Sequence, residues 1–393
     1  MLKLLKHRSI QTIFVICLYF LIGHSLPILV HQFFYTISVL IKDLLVWMMP
    51  ITIGLFIAHS VSSFNKKAPL FIVAIILFEF ISNFTSVWYA YFSASFSSNF
   101  LPIFRVSNFS TDFNTIWKLP IAKPIWWSAS NGVICGLFFG CFNALKTSPL
   151  LTKIITCGKY SIELILKKFF ARLIPIFLLG FVAQTHQTGL LIHIFTHYAM
   201  LIVYLLSFLI IYLTFLFYLS SGFLLKDAVK SIKNLLPAGG IALTSGCSLS
   251  TIPWTIEGTR KNLQNPKFAE AVIPATTNIQ QIGDCITNSF LCFLIFYDFY
   301  GVPPDFITWF YFSIIFVLAR FTTAAILGGA IFIMLPIYES YLGFNEEMIA
   351  IILSLNIFLD PIITSVNVIA NGALCRVFEC VWMKVNFQKT KEV

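Results

Sequence analysis

Residues 245–253 read SGCSLSTIP. Four hydroxyl side chains (Ser245, Ser248, Ser250 and Thr251) share this short run with a glycine, a cysteine and Pro253, read here as a helix-ending proline. In a soluble loop the run would be ordinary, but the chain around it is not soluble in character. Its 393 residues are 58% hydrophobic and 11% charged, where a soluble domain carries about 25% charged residues. The mean hydropathy is +0.88. Apolar runs near 10–30, 36–62, 69–95, 127–145, 170–190, 197–225, 269–298, 307–338 and 345–380 reach the ~18 residues that cross ~30 Å of hydrocarbon. The first run is long and no small-residue cleavage site follows it, so it reads as a retained membrane helix and not a signal peptide.

The net charge of +10 would suggest a nucleic-acid partner in a soluble protein. Here the lysines and arginines gather in alternate short loops, so they read as topology signals. Lys3, Lys6 and Arg8, then Lys66 and Lys67, Lys146 to Arg172, Lys226 to Lys233, and Lys384 to Lys391 mark one side. Asp298, Asp305, Glu339, Glu346 and Glu347 mark the other, with the long aromatic segment 96–126. Both termini are therefore expected in the cytoplasm, with a multi-pass chain in the cell's inner (plasma) membrane. The nine cysteines form no CxxC pair, which argues against a disulfide framework or a zinc site. Candidate linkers are 96–126 and 146–168.

Against that background SGCSLSTIP breaks a segment, 235–253, that is too short to cross before it turns polar. Basic residues precede it and return in GTRKNLQNPKF (258–268). A segment that begins and ends on one side is a re-entrant hairpin, and the backbone at its tip must be buried in protein or line a wet cavity. A second broken segment, ARFTTAAILGGAIFIMLPIYES (319–340), enters from the other side. Gly and Ser can also serve close helix packing alone. Two interrupted segments in one half point instead to a transporter site, where helix ends offer N–H groups to an anion.

Next comes NIFLDPIITSVNVIANGALCRVF (356–378), with Asp360, Thr364, Asn367 and Asn371 at i, i+4, i+7 and i+11. That spacing places them on one helical face. An Asp in lipid costs at least about 2.5 kcal/mol, so the face is expected to point inward, to a ligand or a polar packing seam. Upstream, IPATTNIQQIGDCITNSF (273–290) is polar at membrane depth and holds Gln280, Gly283 and Asp284. It reads as a helix unwound near its centre, where freed carbonyls can hold a cation.

The order of hairpin with serine-rich tip, broken helix, hairpin with glycine tip and polar-faced final helix resembles the dicarboxylate/amino acid:cation symporters, the glutamate-transporter family. LVWMMPITIGLF (45–56) and RLIPIFLLGF (172–181) also look like family helices. The resemblance implies an all-α membrane protein of eight transmembrane helices plus two re-entrant helical hairpins. Residues 1–234 would supply helices one to six as scaffold and trimer contact. Residues 235–393 would supply the transport core. It further implies a homotrimer, a small-molecule substrate, a coupling cation (Na+ or H+), no other cofactor and no enzymatic activity.

By the same resemblance Ser248 and Thr251 fall on hydroxyl positions of the substrate site. Asp360, Thr364 and Asn367 fall on substrate-amino, substrate and sodium-site positions. QQIGD (280–284) takes the place of the family's Asn-Met-Asp-Gly-Thr, so Gln280, Gly283, Asp284, Asn367 and Asn371 become the cation-site candidates. Only Gly283 is retained there. Ile282 stands where a cation-binding Asp is usual, Asn371 where a sodium-ligating Asp is usual, and Ile363 where members taking acidic substrates carry Arg. Two lost carboxylates weaken a sodium site, and Asp284 either compensates or carries a coupled proton. Losing the arginine removes a bidentate carboxylate clamp, which favours a small neutral amino acid. Arg320 offers an alternative clamp for a dicarboxylate or acidic amino acid. Two other readings stand beside these: a degenerate member without transport, and a membrane metalloenzyme using His186, His193 and His197, of which the last two have metal-pair spacing but no following Glu.

Overall fold

A computed structural model describes residues 19, 22–62, 69–100, 115–165 except 119, 121–123, 125, 128 and 147, 168–187 except 170, 190–323, and 330–389. Among the described residues there is no strand, so the expected all-α architecture holds. The helices are α1 (Ile28–Ser62), α2 (Pro69–Ser98), α3 (Ala129–Leu145), α4 (Pro149–Ile165), α5 (Ala171–Gln187), α6 (Leu190–Ser220) and α7 (Leu225–Ser245). They continue with α8 (Ile252–Arg260), α9 (Pro266–Thr276), α10 (Ile282–Tyr300), α11 (Phe306–Thr323), α12 (Ala330–Leu342) and α13 (Glu346–Lys389). Four stretches among the described residues, Val73–Ser98, Ala199–Ser220, Ile282–Tyr300 and Phe358–Lys384, are long and apolar enough to cross a membrane. Shorter apolar helical stretches include Pro50–His59 and Phe306–Phe321. The first half of the first apolar run, 10–30, lies outside the described residues.

The expected scaffold and core divide the chain by role. Compactness groups it otherwise, into Met1–Pro69, Leu101–Met200 and Cys292–Asn356 as one unit, and Leu70–Phe100, Leu201–Leu291 and Ile357–Val393 as the other. In the first unit α1 is the hub. It crosses α3 so closely that a Cβ on Gly136 would lie 2.6 Å from the Gly54 carbonyl oxygen. Trp127 at the start of α3 donates from Nε1 to the Trp47 carbonyl at 2.8 Å. The expected linker 146–168 contains α4, a correction with a simple cause. Ile155 and Ile162, seven residues apart, form a narrow buried stripe, which Lys153 and Lys159 obscured. Asp305 caps α11 by accepting the N–H groups of Ile307 and Thr308 at 3.2 and 3.1 Å, and its bonds with Thr308 hold the carboxyl below the usual range. Residues 324–329, most of the glycine tip AILGGA, lie outside the described residues. Lys42 on α1 pairs with Glu339 on α12 at 3.9 Å.

In the second unit α7 and α8 form an antiparallel hairpin. Asn234 Nδ2 donates to Asn262 Oδ1 at 2.7 Å, and Asn262 Nδ2 to the Ser231 carbonyl at 3.1 Å. The first arm begins earlier than the expected residue 235. Ala228, Ser231, Leu235, Ala238 and Ala242 are all buried at intervals of three or four, the period of one helical face. The basic segment with Lys226, Lys230 and Lys233 is the opposite face of that same helix. Gly246 ends it in the left-handed conformation, φ 59°, its N–H bonded to the Ala242 carbonyl at 2.9 Å, as glycine favours at this position. Pro253 does not end a helix. It opens α8, in the first turn, where its missing N–H has no partner to lose.

Candidate functional site

The polar run 273–290 divides into α9 and α10, joined by a non-helical stretch at 277–281. Helix ends leave backbone N–H and C=O groups without intrahelical partners, and here side chains from two other helices meet them. From α2, Asn83 Nδ2 donates to the Ile279 carbonyl at 2.8 Å, and Asn83 Oδ1 accepts the Gln281 N–H at 3.2 Å. From α13, Asn367 Oδ1 accepts the Gly283 N–H at 2.8 Å. Its Nδ2 donates to Asp284 Oδ2 at 2.7 Å. One turn further along α13, Asn371 Oδ1 accepts from the Thr276 hydroxyl at 2.7 Å, and its Nδ2 lies 3.4 Å from Thr277 Oγ1.

Gly283 is what lets α10 and α13 come this close. A Cβ there would lie 2.7 Å from the Ile363 carbonyl oxygen and 3.0 Å from Asn367 Oδ1. Between the two groups pinned by Asn83 sits Gln280. It is 1% exposed, and neither its Nε2 nor its Oε1 has a hydrogen-bond partner among the described residues. A buried amide without partners costs roughly 1–3 kcal/mol, so this one is suited to a ligand with polar or charged atoms. With Gln280, the carboxylate of Asp284 and the amide oxygens of Asn367 and Asn371 supply hard oxygen donors of the kind that suit Na+ or a similar cation.

The hairpin reaches α13 as well. Ser365 Oγ donates to the Gly239 carbonyl at 2.9 Å. At the tip, Thr251 is buried and its hydroxyl donates to the Ser248 carbonyl at 2.7 Å, while Ser248 itself is half-buried. On α13, Thr364 donates to its own helix, at the Asp360 carbonyl, 2.8 Å away. Asp360 is half-buried. Of the residues predicted from sequence, Gly283, Asp284 and Asn367 are brought together by direct hydrogen bonds, while Asn371 bonds to Thr276 and Thr277 before the break. Ser248 and Thr251 bond to each other at the hairpin tip, and Thr364 and Asn367 bond within α13 and to α10. Sequence reasoning missed Asn83. Its signal was the spacing of Glu79 and Asn83, four residues apart within FEFISNF (78–84) of a mostly apolar helix.

The sequence profile of the sodium:dicarboxylate symporter family matches residues 127–379, well over half of the chain and all of the site except Asn83. The chain belongs to that family. No curated protein matches the chain. Membership makes it a secondary-transport protein and not an enzyme, which sets aside the metalloenzyme reading. His186, on α5, and His193 and His197, on α6, have side chains outside the described set, and no group of three metal-ligating side chains occurs among the described residues.

Proposed function

We propose that this symporter carries a small neutral amino acid into the cell, coupled to inward movement of Na+ or H+. The observation that carries the reading is the double engagement of Asn367, which ties the Gly283 N–H and the Asp284 carboxylate to the polar face of α13. A cation seated beside Gln280, Asp284 and Asn371 would neutralise Asp284 and order the break. Order there fixes α13, whose Asp360 receives the substrate ammonium while Thr364 and Asn367 support it. Ser248, Thr251 and the N–H groups at the tip of the α7–α8 hairpin receive the α-carboxylate.

Ile363 is buried and apolar where an acidic substrate would call for a guanidinium, which supports a neutral side chain on the substrate. A dicarboxylate reading rests on Arg320 of α11, 1% exposed, with its guanidinium carbon 5.0 Å from the centre of the Phe316 ring. Eight spans, two re-entrant hairpins, a homotrimer held by the N-terminal helices, a plasma-membrane location and cytoplasmic termini complete the proposal. A cysteine placed at Lys261 should then be labelled from inside and one at Val302 from outside. Uptake of labelled L-serine, L-alanine, L-aspartate and succinate into proteoliposomes, under an imposed sodium or proton gradient, tests the function. Concentration of serine or alanine is the expected result. Succinate or aspartate uptake abolished by Arg320→Gln would favour the dicarboxylate reading, and no uptake at all a member that has lost transport.

A further inference from the structure

One turn before Asn83 on the same face of α2 lies Glu79. It sits within the apolar stretch Val73–Ser98 and is 2% exposed. Its Oε2 has no hydrogen-bond partner among the described residues. Its neighbours on α2, Ile75 and Phe78, pack with Val272 and Ile273 of α9 and with Cys375 and Phe378 of α13. The Cys375 thiol lies near the carboxyl groups of both Glu79 and Glu379. Glu379 is already committed, accepting the N–H groups of Gln264 and Asn265 at 3.1 and 2.7 Å. No cation pairs with Glu79 among the described residues.

An ionised carboxylate without a counter-charge or donor is strongly disfavoured in such surroundings. A neutral carboxylic acid is tolerated. An ionisable side chain at membrane depth is rare and is by default a functional group. Glu79 is also close to the part of the molecule where coupling is expected, since Asn83, one turn or ~6 Å along the helix, holds both Ile279 and Gln281 of the break. Asp284 differs in kind. It accepts a hydrogen bond from Asn367, which suits an anion that holds a cation.

We infer that Glu79 is the group that binds and releases the coupling proton. This rests on the transport reading above and deepens it. The step is a simple acid–base exchange. In the outward-open state the carboxylate takes a proton from the external solution and becomes the neutral acid that this apolar setting favours. When the site opens to the cytoplasm, the O–H bond breaks, the proton leaves to water, and the carboxylate is restored.

Two measurements on the full-length protein in liposomes decide the matter. The first is infrared difference spectroscopy across a pH titration, without substrate. The wild type should show the C=O stretch of a protonated acid that disappears as pH rises and is missing from Glu79→Gln. The second is transport of labelled L-serine. Under an inward proton gradient the wild type should concentrate it. Glu79→Gln and Glu79→Leu should only let it equilibrate, while exchange of internal for external serine remains measurable. An infrared band that is absent from the wild type, or unchanged in Glu79→Gln, overturns the inference, as does proton-driven accumulation by Glu79→Gln at the wild-type level. If the wild type moves no serine in either mode, the transport reading fails for that substrate, and the infrared band alone decides whether Glu79 is a proton site.

Discussion

Asn367 on α13 and Asp284 on α10 meet at 2.7 Å, amide to carboxylate, while the same amide accepts the Gly283 N–H at 2.8 Å. Asn367→Ala removes both bonds at once and leaves Asp284 without that donor. Such a loss costs about 1–3 kcal/mol, so the half-saturating concentration of the coupling cation should rise roughly tenfold or more. Initial uptake rates across a sodium titration at fixed pH measure it. Asp284→Asn should act on the same step, allowing exchange while losing accumulation driven by the ion gradient.

Asp360→Asn keeps the size of the side chain and removes its charge. A bound ammonium would lose its counter-ion, and truncating one partner of a buried charge pair costs ~2–5 kcal/mol. Measurable uptake of a neutral amino acid should vanish, with the protein still in the membrane. Wild-type binding by this variant, read by calorimetry, would point to a substrate without an amino group.

Ser248→Ala removes a hydroxyl from the tip of the α7–α8 hairpin. Ser248 is half-buried and its side chain does not cap the helical turn that follows, so the fold should tolerate the change. The substrate concentration giving half-maximal uptake should rise several-fold, consistent with loss of a bond worth ~1 kcal/mol or more. Unchanged kinetics would remove Ser248 from the site.

Gly283→Ala places a methyl group 2.7 Å from the Ile363 carbonyl oxygen. Overpacking of this kind costs about 1–3 kcal/mol. Thermal unfolding in detergent should begin several degrees lower, and the spacing of α10 and α13 should open. Gly240→Ala is the control, because a Cβ there meets nothing within 4 Å.

The spacing of Asn367 and Asn371 on one helical face was legible because periodicity survives in a lipid-facing sequence. The polar run at 277–281 was legible because a run of amides and hydroxyls has little other reason to sit at membrane depth. Other features were hidden by composition. The lysines of 146–168 and 226–233 suggested loops, yet both segments contain helix, with buried stripes made of Ile, Ala, Ser and Leu. Pro253 was ambiguous between stop and start, since proline serves at both ends. Glu79 and Asn83 lie one turn apart on a face that Ser86, Ser93 and Ser97 continue, but only the meeting of α2 with the break gives them meaning.

Asn83 fastens the carbonyl before Gln280 and the N–H after it, while the Gln280 side chain takes no part in the fastening. Frame and ligand arm therefore belong to different residues. Position 280 can be exchanged for Asn, Ser or Glu without rebuilding the loop that presents it. The break is in this sense a socket with a replaceable contact, and ion preference could drift over generations, or be tuned at the bench, through a single codon.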